Sequence, residues 1–110
     1  MVTQVVPPPA PSEKLWGVQE YLDRLKHYYP DDEPNFVGLE GYINAKVLVE
    51  GLRRAGPDLT REKFIRAIES IRKFDLGVGG RLSFSPTDHQ GSDKVYFTRI
   101  ENGRFVLMQE

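Results

Sequence analysis

Four of the five residues from Pro7 to Pro11 are proline (Pro7-Pro8-Pro9-Ala10-Pro11), and no other feature restricts the folding of this chain as much. A ring-locked φ and a missing N–H mean that such a run neither continues a sheet nor lies inside a helix. It reads as an extended, stiff connector. The β-branched stretch Val2 to Val6 before it is therefore a short strand, cut off from the rest of the chain.

Beyond the prolines the apolar residues recur at helical spacing. Ser12 is the expected N-cap of a first helix, with Glu13 favouring the positive end of its dipole. Leu15, Val18, Leu22, Leu25 and Tyr29 form one stripe at spacings of three and four, and Pro30 to Asn35 is a polar loop that ends it. A second helix is predicted from about Gly38 to Ala55, with Tyr42, Ala45, Leu48, Val49, Leu52 and Ala55 on its buried side and Gly56-Pro57 as its stop. Gly38, Gly41 and Ala45 near its start allow close approach to the backbone, either for packing against another element or for a ligand. Thr60 caps a third helix whose stripe is Phe64, Ala67, Ile68 and Ile71, ending before the Gly77-Val78-Gly79-Gly80 turn.

The remainder is β-like. Arg81 to Phe84 alternates weakly, and Ser85 to Gly91 is a long polar loop. Lys94 to Ile100 and Arg104 to Met108 flank Glu101-Asn102-Gly103, where Asn-Gly is a strong hairpin signal. The fold class expected is α/β: three amphipathic helices, a short N-terminal strand and a C-terminal β-hairpin.

Several function classes lack their signature. With 15 Lys+Arg against 16 Asp+Glu and a net charge of −1, the chain has no footprint of a nucleic-acid binder. It has no cysteine, so disulfides and thiolate metal sites are excluded. No apolar run approaches the ~20 residues that span a bilayer, and the opening residues lack the charged and apolar regions of a secretory signal. His27 and His89 belong to no catalytic or metal-binding motif. Asp31-Asp32-Glu33 lacks the alternation of a calcium loop. Asp88, His89 and Asp93 read as a polar turn rather than a metal site. Gly77-Val78-Gly79-Gly80 precedes a strand instead of opening a helix, the wrong order for a phosphate loop. No enzyme and no cofactor are expected. Phe36, Tyr42, Tyr28 and Tyr29 gather around the first inter-helix loop, where aromatics line either a small-molecule cleft or a core.

The stretch from Gly38 to Gly56 (GLEGYINAKVLVEGLRRAG) resembles a helix of the periplasmic leucine/isoleucine/valine-type binding proteins. Leu59-Thr60-Arg61-Glu62, Phe74-Asp75-Leu76-Gly77, the run Leu82 to Gly91, the hairpin with Gly103-Arg104-Phe105, and the opening Thr3-Gln4-Val5-Val6-Pro7 match the family's order. The resemblance extends over essentially the whole chain. It implies a partial type I periplasmic-binding-protein fold, in which two α/β lobes close on a ligand by hinge motion. This chain would be a single C-terminal fragment: 1–11 a strand and proline-rich crossover, 12–76 the helical part of the first lobe, and 77–110 a β-rich part with a crossover loop and the final hairpin. The resemblance further implies a small-molecule ligand such as a branched-chain amino acid, an ABC-transporter membrane permease as partner, and a periplasmic or extracytoplasmic location. Phe36 and Glu40 match the region that helps close the family's cleft and are the expected ligand-binding residues. A sensory ligand-binding domain of the same fold and a self-associating module without ligand are the alternatives. On its own the chain is expected to form a homo-oligomer or a domain-swapped species, because its apolar helix stripes lack a covering sheet.

Overall fold

The computed structural model describes residues 1–108. Its elements in chain order are β1 (Val2–Gln4), α1 (Trp16–Tyr28), α2 (Phe36–Ala55), α3 (Arg61–Glu69), β2 (Phe74–Asp75), β3 (Arg81–Leu82), β4 (Tyr96–Glu101) and β5 (Arg104–Leu107). Strand β1 pairs antiparallel with β4, and β4 with β5, so both ends of the chain meet in one sheet of order β1-β4-β5. Along β4, Tyr96 and Thr98 are buried while Phe97 and Arg99 face out, the period-two alternation of a strand with one covered face. Thr98 is fully buried, and its hydroxyl donates to the Val2 carbonyl at 2.7 Å, fastening the first strand to the last hairpin. The hairpin turns on Asn102 (φ 50°) and Gly103 (φ 76°), the paired left-handed residues of a tight two-residue turn.

The prolines do more than separate elements. Pro7 and Pro8 are buried, and Val6 joins Val18, Tyr21 and Leu39 in a core to which Leu15, Leu22, Leu25, Phe36, Tyr42 and Ile43 contribute. The connector thus enters the seam between the sheet and the first two helices.

Of the three expected helix starts, the Thr60 cap holds, the start of α2 lies two residues earlier than expected, and the Ser12 cap fails. Thr60 Oγ1 accepts from Lys63 N at 3.1 Å, and Asn35 Oδ1 accepts from Gly38 N at 2.7 Å, so α2 begins at Phe36 rather than Gly38. Ser12 is not a cap. The N-cap of α1 is Leu15, which has no side-chain cap, and the Gly17 N–H instead donates to the Gly77 carbonyl at 2.8 Å. A loop sixty residues on (77 less 17) therefore takes the place of a capping side chain.

The buried side expected for α2 is largely open. Leu48, Val49 and Leu52 are 50%, 62% and 40% exposed. Helix α2 instead buries Leu39 toward α1 and Gly51 toward α3, where a Cβ at position 51 would lie 2.5 Å from Ile68 Cδ1. The Cα radius of gyration is 15.6 Å, against ~13 Å for a compact domain of about 100 residues. The excess reflects an elongated shape, with principal extents of 50 × 33 × 18 Å.

Candidate functional site

The two residues expected to touch ligand lie one helical turn apart on α2, at i and i+4, and so share a face. Phe36 is half-buried. Its ring meets that of Phe105 edge-on, with centroids 5.4 Å apart and planes at 90°, so the start of α2 is joined to β5. Glu40 is exposed and makes no ion pair or side-chain hydrogen bond among the described residues. Its carboxylate is available to an outside partner.

A charged network ties α1 to α2 beside this face. The Glu20 carboxylate accepts from the Tyr42 hydroxyl and from Lys46 Nζ, the latter at 2.5 Å. Hydrogen bonding from Lys46, then from Tyr42, holds the Glu20 carboxyl below the usual carboxylate range. Burial, then the Glu20 hydrogen bond, pushes the Tyr42 phenol up to about 12. The Lys46 ammonium also lies 5.6 Å from the Trp16 ring centroid and 5.8 Å from that of Tyr42, within cation–π range. These residues border a 520 Å³ cleft with Val49, Phe74 and Leu76.

A larger cavity of 850 Å³ opens on another side of the same helix pair. Tyr28, Tyr29 and Tyr42, three of the four aromatics singled out in the sequence, line it; Phe36, the fourth, does not. Tyr21, Arg24 and Leu25 complete the α1 wall at i, i+3 and i+4, with Tyr28 at i+7. Tyr21 and Arg24 escape the sequence reading because the core stripe runs through Leu22 and Leu25. The pattern Tyr21-Arg24-Leu25-Tyr28 is the signal for a second face.

His27 adjoins this cavity, packing edge-on against Tyr28 with centroids 4.6 Å apart. His89 lies apart from it, its Nε2 meeting Glu69 Oε2 at 2.8 Å. Among the described residues no group of three or more His, Cys, Asp or Glu is arranged to hold a metal ion. No described helix is long and apolar enough to cross a membrane.

A sequence profile of the periplasmic binding protein family matches residues 2–104. The chain belongs to this family. Among solved structures it is similar to a possible leucine/isoleucine/valine-binding protein from Rhodopirellula baltica SH 1, at 34% identity and a TM-score of 0.88 over 97% of this chain and 28% of that one. It is also similar to a substrate-binding periplasmic protein from Ralstonia solanacearum, at 30% identity and a TM-score of 0.81 over 97% of this chain and 31% of that one. Among curated proteins there is no match. The chain therefore spans less than a third of the length of either structure. Its three helices and antiparallel strands are part of the α/β type I periplasmic-binding-protein fold expected from the sequence, and the role that goes with the family is solute binding.

Proposed function

We propose that this chain is part of the extracytoplasmic solute-binding component of an ABC transporter, which takes up a branched-chain amino acid or a related small solute and delivers it to a membrane permease. The observation that carries this reading is the family match over residues 2–104, together with the likeness to the possible leucine/isoleucine/valine-binding protein. Phe36 and Glu40 are the proposed ligand contacts. The ring offers an apolar wall at the α2 N-terminus, and the unpaired carboxylate a turn later suits an ammonium group. Nothing in the proposed role breaks a bond, so no catalytic residue is assigned. Deleting the gene should lower uptake of labelled leucine, isoleucine or valine, and a Phe36→Ala copy should restore uptake less well than the unaltered copy. Uptake of all three at the undeleted rate would refute the transport reading.

A second reading rests on the open face of α2. Leu48, Val49 and Leu52 form an exposed apolar stripe at i, i+1 and i+4, and large contiguous apolar patches on soluble chains mark interaction surfaces. The isolated chain is proposed to associate with a second copy through this stripe.

A further inference from the structure

The 850 Å³ cavity between the C-terminal half of α1 and the start of α2 combines three chemistries. Its wall is aromatic, and Tyr28 and Tyr29 are left 63% and 64% exposed. Its floor holds Tyr21, which is only 5% exposed. The Tyr21 oxygen accepts a long bond from Asn35 N at 3.5 Å, while its O–H donates to no acceptor among the described residues. Beside it, Arg24 forms no ion pair among the described residues, although its guanidinium bears on the Tyr42 phenol and its charge on Glu20. Asp32 and Glu33, also on the lining, form no ion pair among the described residues either.

Water serves each of these groups singly. A solute carrying a carboxylate, an ammonium and an apolar body serves them together, because a buried hydroxyl and a guanidinium favour an anion while carboxylates and ring faces favour a cation. We propose that this groove binds an α-amino acid with a large apolar side chain: its carboxylate on the Tyr21 hydroxyl and Arg24, its ammonium toward Asp32 and Glu33, and its side chain on the rings of Tyr28 and Tyr29. Gly38 belongs to the same arrangement, since a Cβ there would lie 2.3 Å from the Tyr21 hydroxyl oxygen. The groove is lined by neither Phe36 nor Glu40. Only the ligand class rests on the solute-binding reading.

The test is a heteronuclear NMR titration of this chain with L-phenylalanine, L-leucine, 3-phenylpropionate and phenethylamine. The amino acids should shift the amides of Tyr21, Arg24 and Gly38, and the analogues lacking one charged group should bind about tenfold more weakly or worse. Tyr21→Phe, which keeps the ring, should weaken phenylalanine about tenfold at an unchanged melting temperature. Arg24→Gln, at an exposed position that does not endanger folding, should act in the same direction. Phenethylamine binding as tightly as phenylalanine would overturn the carboxylate assignment. Shifts gathered at Phe36 and Glu40 and insensitive to both variants would overturn the groove while leaving solute binding in place. No shift with any of the four compounds would also overturn the groove, and the transport reading would still stand or fall on the uptake experiment.

Discussion

The Tyr21 hydroxyl occupies the space in which a side chain at position 38 would begin, since a Cβ on Gly38 would lie 2.3 Å from the Tyr21 hydroxyl oxygen. Tyr21 is buried in the core, so its ring has little room to retreat. In an open helix position Gly→Ala gains roughly 0.5–1 kcal/mol. Here overpacking of about 1–3 kcal/mol should outweigh that gain. Gly38→Ala is therefore expected to lower stability in urea denaturation. Tyr21→Phe in the same chain removes the clashing atom and should restore most of the loss, whereas a Gly38→Ala chain as stable as the parent would contradict the packing described.

The edge-on contact of Phe36 with Phe105 is the aromatic pair that joins the helical layer to the β1-β4-β5 sheet. Aromatic pairs couple by about 0.5–1.5 kcal/mol beyond their buried area. A double-mutant cycle with Phe36→Leu and Phe105→Leu should return a coupling in that range. Additive losses would mean that the rings are neighbours without an energetic link.

Signals that act within a few residues are legible in the sequence. Thr60 caps α3 through Lys63 N, and Asn102-Gly103 makes the hairpin turn, because each needs only its own chain neighbours. Ser12 fails as a cap for the opposite reason: the loop at Gly77 supplies the acceptor, and no local pattern announces a contact across sixty residues (77 less 17). The two-residue strands β2 and β3 are held by pairing of Phe74 with Leu82 and Asp75 with Arg81, too short to produce any periodicity. The stripe on α2 is apolar as its spacing indicates, but periodicity says that a face is apolar and not what covers it. At the groove, Tyr28, Tyr29 and Tyr42 are visible as a cluster, while Tyr21 is hidden between core positions.

Two carboxylates set the acid limit of stability. Glu20 is held down by Lys46 and Tyr42, and Glu50 by Arg53 and then Arg54. A carboxyl whose folded value is depressed contributes stability that is fully present above its unfolded value and lost as pH falls toward the folded one. Stability should therefore decline as pH drops below about 4.5, the ordinary Glu value. Glu50→Gln should flatten that decline, and urea midpoints measured between pH 3 and 6 (roughly the carboxylate range) check it. An unchanged slope in the variant would remove Glu50 from the account.

Tyr42 sets an alkaline limit by the opposite sign. Its phenol is raised to about 12 from an ordinary 10.0, so the folded chain keeps a proton that the unfolded chain releases first. Where the native state holds more protons, stability falls with rising pH. The loss should occupy the window from about 10 to about 12 and shrink in Tyr42→Phe. Absorbance of tyrosinate during a pH titration locates the phenol directly, and ionisation of all five tyrosines at the ordinary value would refute the Glu20–Tyr42 link.

The open stripe of α2 makes a prediction about assembly. Leu48, Val49 and Leu52 lie half or more out of contact, apart from Leu52 at 40% exposure. Fully burying one such side chain stabilises by about 1.5–3 kcal/mol, so covering the remaining area of three residues on each of two copies favours association at high concentration. Sedimentation equilibrium of this chain should show a dimer or larger species whose population grows with concentration. Leu48→Lys with Val49→Glu should return it to monomer. Because both positions already face solvent, the double variant should unfold at nearly the same urea concentration as the monomeric parent, which separates lost association from lost folding. A parent chain that stays monomeric and melts cooperatively at high concentration would refute self-association through this face.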